Sequence, residues 1–222
     1  VHITYAKTNS TDIGIKISII NRYKKAAPIT VLPTLWFYNR WTKHGSLKTK
    51  PNFSPAGPNT ILAEHSRLGN YYFYYQEAND ALFTDNETNT QIVTGQPNES
   101  IFTKDAFHKA VIQKDHVQEL RERKSGTKFS PVYNYTVKPG ETINIYCRLS
   151  EEQLKEPFDS DFQQLFAKRK SEADDFYAEI FPKGVAHNLA KVQRQALAGL
   201  LWSKQYYHYD IEKWLSKSDG IT

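Results

Sequence analysis

The stretch Val132-Tyr133-Asn134-Tyr135-Thr136-Val137-Lys138-Pro139-Gly140-Glu141-Thr142-Ile143-Asn144-Ile145-Tyr146-Cys147-Arg148-Leu149 sets the fold class. Two runs that alternate apolar and polar residues flank a Lys-Pro-Gly-Glu turn, a pattern that predicts a β-hairpin. Upstream, Ile13, Ile15, Ile17 and Ile19 alternate with Gly14, Lys16 and Ser18, as in a half-buried strand. Ile29–Tyr38 is rich in β-branched and aromatic residues, and Pro33 removes one ladder donor, which predicts an edge position or a bulge. Gly69–Gln76, centred on Tyr71-Tyr72-Phe73-Tyr74-Tyr75, predicts a further strand. Short strands broken by Gly, Pro and Asn clusters argue for a mainly β, antiparallel sandwich over residues 1–150. Residues 43–59 hold three prolines and two glycines and read as a loop.

The period then changes. Phe158, Phe162, Leu165, Phe166, Ala173, Phe176, Tyr177 and Ile180 follow helical spacing. Asp159 and Asp161 near the start suit the helix dipole, and Pro182 and Gly184 end the segment. A second helix carries Leu189, Val192, Ala196, Leu197, Leu200 and Leu201 on one side. Trp202, Gln205, Tyr206 and Tyr209 lie along one helical face, which either packs or lines a cavity. The expected organisation is a β domain over 1–150, a connector helix over 151–185 and the start of a helical unit over 186–222. The last segment is too short to complete a domain, so the chain reads as a piece of something larger. The absence of Met and the start at Val1 point the same way.

Composition bounds the function. Aromatics make up 14% of the 222 residues, with fourteen Tyr and twelve Phe, which argues against disorder. The net charge is +5, but acids interleave with bases, as in Gln118-Glu119-Leu120-Arg121-Glu122-Arg123-Lys124. That is a solvated surface, and no nucleic-acid partner is expected. No apolar run approaches the roughly 18 residues of a membrane span, so no membrane partner is expected. The one cysteine, Cys147, falls in phase with Ile143, Ile145 and Leu149 and reads as a small buried hydrophobe. A cytoplasmic location fits the single thiol. Sequons at Asn9, Asn52, Asn86, Asn98 and Asn134 keep the secretory route open.

Four clusters are candidates for chemistry. In Leu32–Trp41, the residues Trp36, Arg40 and Trp41 could form a sugar platform, although for Trp36 a place in the core is the preferred reading. In Leu82–Asn89, Asp85 and Glu87 could position a cation or a polyol; a capped turn is the simpler account, and no EF-hand spacing is present. Lys104, Asp105 and His108 fall within five residues, as acid–base work would want, but no nucleophile accompanies them. The fourth cluster is the tail, with Trp202 and Lys204. No His-Glu-x-x-His, cysteine pair, Walker loop or Gly-x-Ser-x-Gly is present, so no metal or other cofactor is expected.

Five motifs occur in order: Val31-Leu32-Pro33-Thr34-Leu35-Trp36-Phe37, Phe83-Thr84-Asp85-Asn86-Glu87-Thr88-Asn89, Lys104-Asp105-Ala106-Phe107-His108, Glu172-Ala173-Asp174-Asp175-Phe176-Tyr177 and Arg194-Gln195-Ala196-Leu197-Ala198-Gly199-Leu200-Leu201-Trp202-Ser203-Lys204-Gln205. Together they resemble a bacterial group similar to glycoside hydrolase family 63, of the mannosyl-oligosaccharide glucosidase type. The resemblance implies an N-terminal β-supersandwich and a C-terminal (α/α)6 barrel, whose general acid and base carboxylates invert the anomeric carbon. The stretches that carry those carboxylates have no counterpart here, so this chain is expected to hold no catalytic residue and to be inactive alone. The chain would be part of the supersandwich, the connector helix and the first barrel helix. Trp36, Arg40, Trp41, Glu87, Lys104, Asp105, His108, Trp202 and Lys204 remain candidate substrate-binding residues. The implied partners are an oligosaccharide or glucoside substrate and the remainder of the parent chain. The alternatives are a free-standing carbohydrate-binding sandwich and a structural interaction domain.

Overall fold

The computed structural model describes residues 1–42, 49–203 and 211–212. Ten strands run in order: β1 (His2–Asn9), β2 (Asp12–Ile20), β3 (Ala27–Val31), β4 (Leu35–Trp36), β5 (Asn52–Gly57), β6 (Thr60–His65), β7 (Gly69–Tyr75), β8 (Asp80–Thr84), β9 (Lys128–Val137) and β10 (Thr142–Ser150). Between β8 and β9 lie the short helices α1 (Thr90–Thr94), α2 (Ala106–His108), continued by a π-helical turn over Lys109–Gln113, and α3 (Val117–Glu122). Two longer helices follow, α4 (Ser160–Ile180) and α5 (His187–Trp202). The chain divides into two compact units, Val1–Arg169 and Lys170–Thr222, and the join falls within α4.

The first unit is mainly β, and every strand pair among the described residues is antiparallel. A six-stranded sheet has the order β1-β2-β10-β7-β6-β5. The second sheet is built on β9, with β3 and β4 pairing successive parts of it and β8 pairing its first half. Pro33 sits in the break between β3 and β4, where a missing N–H interrupts the ladder.

The Lys138–Glu141 turn does not close a hairpin. β9 pairs with β3, β4 and β8, whereas β10 pairs with β2 and β7. The turn carries the chain from one sheet to the other, closed by Glu141 N donating to Lys138 O at 3.1 Å and tied to β2's end by Gly140 N donating to Asn21 O at 2.9 Å. The two alternating runs bury their apolar faces against a shared core from opposite sides. Phe129 and Tyr133 come from β9, and Ile145 and Cys147 from β10; all four are at most 1% exposed. Ile17, Ile19, Phe53, Ile61, Phe73 and Phe83 complete that core. Burial pushes the Cys147 thiol up to about 12, so it is an inert hydrophobe.

Two further sequence expectations are corrected. Residues 52–57, read as loop, form the edge strand β5, whose Pro55 adjoins a register shift. An edge tolerates a proline that a central strand does not. Trp36, read as core, is 56% exposed. It lies on the two-residue strand β4, whose alternation turns its neighbour Leu35 toward the core instead.

On the outer face of the second sheet, Leu82 and Val132 pack with Ala106, Phe107, Ala110 and Leu120 from the short helices. The first turns of α4 cover the outer face of the six-stranded sheet. A Cβ at Gly14 would meet Phe162 at 2.9 Å, so the glycine lets the helix approach. Beneath them Arg148 and Asp12 form a buried ion pair, with Nη2–Oδ2 2.6 Å and Nε–Oδ1 2.9 Å. In the second unit, Arg194 pairs with Asp174 and lies over the Tyr177 ring at 4.8 Å. Leu189, Val192, Leu200, Leu201 and Trp202 on α5 are exposed. No helix among the described residues is long and apolar enough to cross a membrane.

Candidate functional site

The site forms where the two sheets touch at one end. Gly126 makes a bridge to Phe53 of β5, with Phe53 N donating to Gly126 O at 2.7 Å, immediately before β9 begins. The bridge stitches the edge of one sheet to the start of the other and brings the chain past Thr84, the last residue of β8. The segment leaving β8, Asp85–Asn89, is then held by its own polar groups rather than by a ladder.

Asp85 Oδ2 accepts from Arg123 Nη2 at 2.7 Å, and Oδ1 accepts from Thr127 N at 3.3 Å. The Arg123 guanidinium also lies 4.3 Å from the Phe102 ring centroid. Asn86 donates from Nδ2 to Phe37 O at 2.9 Å, which docks the strand-like run after β4 beside it. That contact sets Trp41 over the segment: Trp41 Nε1 donates to Glu87 Oε1 at 2.7 Å. Lys50 Nζ lies 2.7 Å from the same Glu87 oxygen and 3.4 Å from Asp85 Oδ1. Glu87 Oε2 is buried and accepts no hydrogen bond.

A second polar knot flanks the first. Lys104 N donates to Glu87 O at 2.9 Å, and Lys104 Nζ donates to Thr88 Oγ1 at 3.3 Å. Asn89 caps α1 by accepting from Ile92 N at 3.2 Å, and its amide donates to both Asp105 oxygens. Burial alone would raise the Asp105 carboxyl, but the Thr103 hydroxyl, the Asn89 amide, its own backbone N–H and Lys109 outweigh it and hold it below the usual carboxylate range. Asp105 is therefore an ionised acceptor that fixes the turn, unsuited to general-acid work near neutral pH.

A groove of about 590 Å³ opens beside these knots, lined by Asn39, Lys50, Asp85, Glu87, Thr88 and Asn98 among others. Its walls offer carboxylate acceptors, amides that both donate and accept, an ammonium and hydroxyls. Such a set matches vicinal hydroxyls.

Of the sequence-derived candidates, Trp41 and Glu87 touch, and Lys104 and Asp105 flank them. Arg40 is exposed, with its guanidinium 5.6 Å from the Tyr38 ring centroid. Trp36 lines a separate, apolar crevice. His108 is exposed at the end of α2, and no hydrogen bond joins it to Asp105 or Lys104, so these three residues do not form an acid–base relay. Trp202 is 83% exposed in the second unit, and Lys204 lies outside the described residues. The nine candidates do not include Lys50 and Arg123. Lys50 fell in the proline-rich stretch read as loop, and Arg123 in the mixed-charge run read as solvated surface. Neither carries a local signal, because each acquires its role from a carboxylate far away in sequence. No group of histidine, cysteine and carboxylate side chains that could hold a metal occurs among the described residues.

No family model matches the chain. It is similar to a protein of Saccharomyces cerevisiae named Uncharacterized protein YMR196W, at 28% identity over 249 residues that take in 96% of this chain. The chain spans about a quarter of that relative's length, 23%.

Proposed function

We propose that this chain is the non-catalytic β-sandwich portion of an inverting exo-α-glycosidase acting on oligosaccharides, and that the groove beside Trp41 and Glu87 is a sugar-facing wall. The observation that carries the reading is the meeting of two of its ordered motifs with the Trp41 region at Glu87, which lines the polar groove. Trp41, Glu87 and Lys104 come from three separate segments and are joined by direct hydrogen bonds. In this reading the two sheets belong to a β-supersandwich, α4 is the connector, and α5 is the opening helix of an (α/α)6 barrel. The exposed apolar side chains of α5 support that part, since a barrel helix needs neighbours. The greater length of the yeast relative supports it too, since its match to this chain occupies one part of a longer protein. The proton-transfer carboxylates lie in the barrel under this reading, so the chain supplies shape and polar contacts rather than chemistry.

The test is titration with maltotriose and related oligosaccharides, read by tryptophan fluorescence. A saturable change that disappears in Trp41→Phe and weakens in Glu87→Gln supports the reading. No response to any sugar, or turnover of 4-nitrophenyl α-glucoside by the chain itself, overturns it.

A further inference from the structure

A second recess of the first unit has the opposite character. A crevice of about 320 Å³ opens between the sheets at Leu35, Phe53, Ala63 and Tyr71, with exposed Trp36 and Leu68 at its rim. Its size falls at the small end of ligand pockets, which run to about 300–1,000 Å³. One wall is a pile of rings: Phe37 stacks on Phe53 with centroids 4.2 Å apart and planes 13° apart.

The lining is mostly apolar; its polar groups are the Ser10 and Thr11 hydroxyls, of which Thr11 Oγ1 donates to Asn9 Oδ1 at 3.3 Å, the tips of Tyr71 and Trp36, and the imidazole of His65. His65 lines the crevice and packs on Phe37, with centroids 5.6 Å apart. Its Nδ1 accepts from Arg67 N at 3.1 Å and from Leu68 N at 3.2 Å. Two donors on Nδ1 fix the neutral tautomer, so the ring proton is carried on Nε2. No described residue accepts from Nε2. A mostly apolar recess whose one donor held in place by backbone hydrogen bonds is His65 Nε2 is poor at taking a sugar, whose many hydroxyls would be stripped of water with few partners. It suits a flat apolar ring that brings one acceptor.

We infer that this crevice is a binding site for a small, uncharged aromatic molecule bearing one hydrogen-bond acceptor, with His65 Nε2 as the donor that orients it. The site is separate from the polar groove and does not depend on that groove's being a sugar wall. Apolar burial between Leu35, Ala63 and Tyr71 supplies the affinity, and His65 selects for the acceptor.

The experiment compares 2-methoxynaphthalene with naphthalene, two probes of similar shape of which only the first has an acceptor. Binding to the whole chain is followed by NMR, with intermolecular contacts read at the methyl groups of Leu35 and Ala63. We expect one-to-one saturable binding, contacts to those methyls, and an affinity for 2-methoxynaphthalene about tenfold above that for naphthalene, the worth of one hydrogen bond. His65→Asn keeps a side-chain acceptor for the turn but removes the Nε2 donor, and should erase the difference between the probes. Ala63→Leu should abolish binding of both. If Ala63→Leu fails to fold, the contacts in the unaltered protein still decide the location. The inference fails if neither probe saturates, if contacts appear on the apolar face of α5 instead, or if the probes bind equally. It also fails if self-association of the protein blocks the crevice, which would make the recess a protein contact.

Discussion

Trp41 Nε1 donates to Glu87 Oε1 at 2.7 Å, and the same oxygen takes Lys50. One carboxylate thus ties an indole and an ammonium from the run after β4 to the segment leaving β8. Replacing Glu87 by Leu leaves the indole N–H without its acceptor and Lys50 with Asp85 alone. A part-buried donor stranded in this way costs about 1–3 kcal/mol. Glu87→Gln retains an acceptor for Trp41 and should cost less. Urea unfolding followed by far-UV circular dichroism checks the order: Leu below Gln below the unaltered protein. Equal midpoints for all three would mean the contact contributes nothing to the fold.

Gly126 is a point where the fold leaves no room for a side chain. A Cβ there would stand 2.3 Å from the Thr84 carbonyl oxygen and 3.0 Å from its carbonyl carbon, and both atoms are backbone. Thr84 is itself paired with Lys128, so it has no easy way to yield. Gly126→Ala should cost about 3 kcal/mol, at the upper end of overpacking penalties. Gly140→Ala is the comparison: its φ is +74° in open space, and only the backbone preference is lost, about 1–2 kcal/mol. Denaturant midpoints of the two variants should differ in that order.

The strand content of this chain was legible because β2, the second half of β9 and β10 alternate, which reports a face directly, and because β7 is a run of aromatics, Tyr71–Tyr75. Which strand lies beside which was not. Tyr133, Tyr135 and Val137 followed by Ile143, Ile145 and Cys147 reads identically whether the turn folds back within one sheet or crosses to another, since each case buries every second residue. The crossing is decided by partners more than a hundred residues away, such as Ile17 opposite Ile145. Likewise Pro55 looked like a loop residue because a proline inside a central strand is excluded, and only the observed edge position makes it acceptable. At the groove, Glu87 and its partners Trp41 and Lys104 stood out as residue types. Lys50 and Arg123 did not, because a cation announces nothing until a carboxylate faces it.

Asp105 gives the fold a pH dependence with a defined sign. Its carboxyl is held below the ordinary range by the Thr103 hydroxyl, the Asn89 amide and Lys109, against the opposing effect of burial. A lowered folded value means the unfolded chain binds the proton first as acid is added. The contribution is therefore full above the unfolded aspartate value, about 3.9, and is lost as pH falls through the folded value. Asp105→Asn should lower stability near neutral pH and flatten its dependence below about pH 4. Thermal unfolding across that range checks it; a variant whose acid limb runs parallel to the unaltered protein's would assign the acid sensitivity elsewhere.

The ion pair between Asp12 and Arg148 lies buried in the first unit. Both residues are buried, at 4% and 7% exposure, and the guanidinium also donates to Pro157 O at 2.9 Å and lies 5.5 Å from the Phe162 ring centroid. The Asp12 hydrogen bonds, set against the desolvation of burial, raise the arginine's proton affinity, so it stays charged whatever its surroundings. Asp12→Asn leaves that charge buried without its counter-charge, and such a break costs about 3–5 kcal/mol. The pair itself is a different quantity. Its Coulomb attraction is offset by the loss of hydration of both groups, so the double change Asp12→Leu with Arg148→Met should recover most of the loss despite removing both charges. Urea unfolding of Asp12→Leu, Arg148→Met and the double variant measures the coupling directly. A double variant as unstable as the sum of its parts would show that the two side chains act independently and that burial, not pairing, sets the cost.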